Sequence, residues 1–113
     1  MTVPDNIRQE LVRLCSREGT RRSEFSRKAP TKWHPQQARD PSTGESYTPF
    51  AAWERVHAEL KSGCELEAIV LDKPPGKTGY VFHFEDGAGK LIYVKLQILS
   101  GFVMGRSFHE DEK

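Results

Sequence analysis

From Leu91 to Ile98 apolar Ile92, Val94, Leu96 and Ile98 alternate with Tyr93, Lys95 and Gln97. Successive side chains of a strand point to opposite faces, so a phenol, an ammonium and an amide stand in one row, neighbours about 7 Å apart. The next apolar-rich segment carries Arg106 and His109. A face holding Tyr, Lys, Arg and His without a carboxylate suits neither a metal centre nor glycosidase or protease chemistry. It suits a phosphodiester. In RNA cleavage without metal the 2′-hydroxyl attacks its own phosphate, so the protein need supply only a base, an acid and cations for the growing negative charge. His109 would move protons, Lys95, Arg106 and Lys77 would hold the phosphate, Tyr93 would orient it or stack a base, and Gln97 would hydrogen-bond the substrate. No cofactor is called for.

Whether these side chains meet depends on the turn joining the last two strands. A two-residue Ser100-Gly101 turn sets Lys95 opposite Arg106 and Tyr93 opposite Phe108. A three-residue loop beginning at Leu99 sends Phe102, Met104 and Phe108 into the core and brings His109 onto the face of Tyr93 and Lys95. The three-residue loop buries more apolar surface and is the expected one. It leaves Arg106 on the wrong face unless Gly105 marks a β-bulge that re-aims it.

Antiparallel strands are expected over residues 65–109: Leu66–Leu71, Tyr80–Phe84, Leu91–Ile98 and Phe102–His109. Pro74-Pro75-Gly76-Lys77 and Asp86-Gly87-Ala88-Gly89 separate the first three. Ahead of them, Ile7, Leu11, Leu14 and Cys15 have helical spacing within residues 1–19, with Asp5 as the N-cap. A second helix is expected over 48–62, with Thr48 as cap, Pro49 at its first position, and Phe50, Trp53, Val56, His57 and Leu60 on one stripe. Residues 20–47 read as a long basic loop interrupted by Pro30, Pro35 and Pro41, and 110–113 as a polar tail. The expected fold is α+β, one domain of two N-terminal helices packed on a four-stranded antiparallel sheet.

The run Ile92-Tyr93-Val94-Lys95-Leu96, a turn, then Ser107-Phe108-His109 resembles the ending of the motility quorum-sensing regulator (MqsR) toxins, within the broader RelE-like group of bacterial toxin ribonucleases. The likeness spans Leu66 to His109. It implies an α+β fold with helices on an antiparallel sheet, mRNA cleavage without metal, and a protein antitoxin as partner. Tyr93 and Lys95 match the family's Tyr-x-Lys strand motif; His109 stands where the family has Lys after Ser-Phe.

The net charge of +1 in 113 residues conceals a basic stretch, Arg17, Arg21, Arg22, Arg27, Lys28, Lys32 and Arg39 against Glu18, Glu24 and Asp40. Arg21 and Arg22 are therefore further candidates for RNA contact. Two cysteines far apart, Cys15 and Cys64, announce neither a disulfide framework nor a zinc site. No apolar run approaches the roughly 20 residues of a membrane span, and a cytoplasmic location is expected. Two other functions compete with the ribonuclease: a non-catalytic nucleic-acid-binding module using residues 17–39 and Trp33, and a small protein-interaction domain with a solvated sheet face.

Overall fold

The computed structural model describes residues 3–23, 31–72 and 75–111. Helix α1 runs Asp5–Cys15, α2 Pro49–Lys61, and six strands follow the order β1 Arg21–Arg22, β2 Lys32–Trp33, β3 Glu67–Val70, β4 Thr78–Glu85, β5 Leu91–Leu99 and β6 Phe102–Glu110. The α+β class holds, but the sheet is six-stranded and mixed, ordered β1-β6-β5-β4-β3 with β2 also on β6. The four expected strands form its antiparallel part. Within the expected loop, β1 and β2 are two-residue segments pairing parallel with β6, Arg21 beside Val103 and Trp33 beside Phe108. Nor are both helices N-terminal: α2 follows β1 and β2 and precedes the antiparallel strands.

Helix α2 starts as its residues dictate, with the Thr48 side chain accepting from the Ala51 amide at 3.0 Å and Pro49 supplying no unpaired N–H. Pro4, not Asp5, takes the cap position of α1, and its side chain makes no capping bond. The helices bury Leu11, Leu14, Cys15, Ala52, Trp53, Val56 and Leu60 against one sheet face made of Phe82, Phe84, Ile92, Val94, Leu96, Val103 and Phe108. Trp33 joins this core, stacked 4.7 Å from Trp53 and edge-on to Phe108 at 5.2 Å.

A carboxylate ties the chain between β2 and α2 to the β4–β5 hairpin. Buried Asp86 accepts from the backbone amides of Arg39, Ala88 and Lys90 at 2.8–2.9 Å. Burial opposes the charge, but the amides of Arg39, Lys90 and Ala88 outweigh it and hold the carboxyl below its ordinary pKa.

The β5–β6 hairpin departs from the expected register. Its turn is the two-residue Ser100-Gly101, Leu99 opposing Phe102, with Gly101 at φ 81°. Phe102 and Met104 therefore stay off the core face and half-buried, while Val103 is wholly buried. The register then shifts by one: Leu96 opposes Gly105 but Lys95 opposes Ser107, leaving Arg106 as the extra residue of a β-bulge. Beyond it Phe108 enters the core and His109 opposes Tyr93. The bulge sits between the two parallel partners of β6, past the Met104 that pairs with β1 and before the Ser107 that pairs with β2.

Candidate active site

The sheet face away from the helices carries the polar row. Tyr93, Lys95, Arg106 and His109 line one concavity of about 520 Å³, completed by Lys32, Asp72 and Ser107. The bulge accounts for this meeting. In a regular strand Arg106 and His109 would point to opposite faces; one extra residue gives them the same one.

Arg106 forms the floor, and Gln97, outside the lining, holds it in place. Gln97 is 2% exposed, and its Oε1 accepts from Arg106 Nε at 2.9 Å and Nη2 at 2.6 Å. Two hydrogen bonds to one amide oxygen fix the guanidinium plane, so Gln97 positions Arg106 rather than reaching into the pocket. That corrects the expected role of Gln97. Lys95 lies beside the floor with Nζ 5.9 Å from the Tyr93 ring centre. Partial burial first, then the positive charges of Lys32 and Arg106 against the opposing charge of Asp72, lower the Lys95 pKa and make its proton easier to release. Partial burial, reinforced by Asp111 and Glu67, raises the Tyr93 phenol, which therefore stays a proton donor at neutral pH.

His109 Nδ1 lies 2.9 Å from the carbonyl oxygen of Glu110. A carbonyl only accepts, so Nδ1 carries the hydrogen and the neutral ring keeps its lone pair on Nε2, the tautomer a base requires.

The remaining expected residues lie elsewhere. Arg21 is buried on the helix side, donating to Cys15 O and Glu54 Oε2, each at 2.9 Å, and is unsuited to hold RNA. Arg22 pairs with Met104 and so shares the open face, its guanidinium 4.9 Å from the Phe102 ring centre, toward the hairpin turn and away from the pocket. Lys77 is exposed before β4 and is not among the lining residues. Arg27 and Lys28 lie outside the described residues.

Three lining residues escaped the sequence. Lys32 arrives through the parallel pairing of β2, Ser107 lies in the Ser-Phe-His run, where no spacing marks its hydroxyl, and Asp72 follows Leu71, whose side chain covers Gly79 on this face. Asp72 also corrects the expectation of a carboxylate-free site. Among the described residues, no three His, Cys, Asp or Glu side chains gather as metal ligands, and no helix is long and apolar enough to cross a membrane.

No protein-family model, curated protein or solved structure matches this chain.

Proposed function

We propose that the protein is a toxin-like endoribonuclease that cleaves RNA without metal. The observation that supports it most is the bulge at Arg106, which gathers Tyr93, Lys95, Arg106 and His109 around one cationic concavity. In this reading Lys32, Arg106 and Lys95 receive the phosphate, and Tyr93 donates a hydrogen bond to it. His109 Nε2 takes the proton of the 2′-hydroxyl as its oxygen attacks phosphorus. The bond from phosphorus to the 5′-oxygen breaks, and that oxygen leaves as a hydroxyl with a proton from Lys95. The products are a 2′,3′-cyclic phosphate and a 5′-hydroxyl end. Arg106 and Lys32 stabilise the charge that grows on the non-bridging oxygens. By its resemblance to the MqsR toxins the enzyme is held in check by a protein antitoxin.

The mechanism fixes the outcome of a simple assay. Purified protein should cut an RNA oligonucleotide and leave the same sequence with 2′-deoxy sugars intact, and His109→Ala should lower kcat by roughly the 100- to 10,000-fold expected of a lost general base. RNA bound tightly yet left whole would favour a non-catalytic binding module.

A further inference from the structure

We propose that His83, Tyr93 and His109 form a nucleobase-stacking row, so that the strand entering the pocket is single-stranded and lays a base beside the scissile phosphate against His83 and Tyr93. The inference rests on the ribonuclease reading and adds a base site that includes His83, a residue outside the pocket.

Three adjacent strands place one ring each at the same level: His83 opposes Tyr93, and Tyr93 opposes His109. The Tyr93 ring centre is 5.4 Å from each neighbour, edge-on to His83 at 73° and stacked on His109 at 20°. With strands about 4.8 Å apart, the row extends roughly 10 Å across the sheet. Cross-strand ring pairs also steady a sheet, but two features direct this row at a ligand. Tyr93 and His109 themselves line the cationic pocket, with Lys95 Nζ 5.9 Å from the Tyr93 ring centre, so rings and phosphate cations adjoin. The outer member, His83, has a side chain 38% exposed, and its Nε2 is 2.9 Å from Asp111 Oδ2. With Nε2 engaged by Asp111, what His83 presents outward is its exposed ring. Rings beside cations are the usual way to hold unpaired bases, because every base has a π face; in a duplex those faces are already covered by their neighbours.

The test uses the full chain, a single-stranded RNA, its perfect duplex, and versions of the strand with one abasic position placed in turn along it. The single strand should be cut and the duplex spared. His83→Ala should raise KM about tenfold with kcat nearly unchanged, and His83→Phe should restore KM, since a ring without a titrating nitrogen suffices. One abasic position next to the cleaved bond should raise KM in the parent and raise it distinctly less in His83→Ala, where only the Tyr93 contact remains to be lost. Independent, multiplying effects of the abasic site and His83→Ala, or equal cleavage of single strand and duplex, would overturn the base site and leave the ribonuclease reading standing. If no RNA is cut, that reading fails, and the base site is judged by anisotropy with a 2′-O-methyl strand: coupling between His83 and one base supports it, and its absence refutes it.

Discussion

Substituting Gly105 by Ala tests how the core imposes the bulge. A Cβ at Gly105 would sit 2.6 Å from Trp33 Cε3 and Cζ3 and 2.9 Å from Cη2. Ordinary contact begins at 3.4 Å, so the overlap is about 0.8 Å on a rigid indole. Trp33 has little room to retreat, being stacked on Trp53 at 4.7 Å and packed on Phe108 at 5.2 Å. Overpacking of this kind costs about 1–3 kcal/mol. At about 4 °C per kcal/mol for a chain of this length, Tm should fall by roughly 4–12 °C. Because Gly105 immediately precedes the bulged Arg106, any shift that relieves the clash also moves the pocket floor, and cleavage should fall with stability. Thermal unfolding followed by circular dichroism measures the first effect, and a double-mutant cycle identifies its cause: in a Trp33→Leu background the added methyl has room, and most of the cost should vanish. A Tm unchanged within 2 °C, or the same loss in both backgrounds, would refute the steric account.

Two further predictions follow from the polar contacts. Gln97→Leu removes the acceptor shared by Arg106 Nε and Nη2, which should cost about 1.5–3 kcal/mol in urea unfolding and lower cleavage at least tenfold; wild-type kinetics in a folded Gln97→Leu protein would show that Arg106 needs no such anchor. Asp86 has a folded pKa below its ordinary 3.8, so it contributes stability above that value and loses the contribution as pH falls through the lower, folded pKa. Asp86→Asn should therefore be less stable than the parent at pH 6, with the gap closing toward pH 2; a gap independent of pH would contradict the role of its charge.

The features legible in the sequence were those with a period or a named local device. Thr48 and Pro49 announced α2, and alternating apolar residues announced β4 and β5, because capping and a two-residue repeat are written in adjacent positions. The strands β1 and β2 were illegible for the same reason: two residues are too short to show alternation, and their partners on β6 are distant in sequence. Lys32 was hidden with them. At the last hairpin, counting buried apolar area favoured the three-residue loop, yet Phe102 and Met104 lie on the polar face, where Arg22 packs on Phe102. The Gly105 signal was sounder, since a bulge there reconciles a two-residue turn with Phe108 in the core and His109 beside Tyr93. Gln97 reads as a substrate contact because a side chain's face is written in the sequence but its covering is not; it is buried and bonded to an arginine of the neighbouring strand. Asp72 follows a strand whose edge contacts no periodicity could forecast.

The central claim is that the side chains around Lys95 cut RNA unaided by metal, and cleavage of a labelled RNA by purified protein in excess chelator tests it most directly. The account predicts undiminished cleavage to a 2′,3′-cyclic phosphate, lost in Lys95→Ala. Cleavage abolished by the chelator, or persisting in Lys95→Ala, would contradict it.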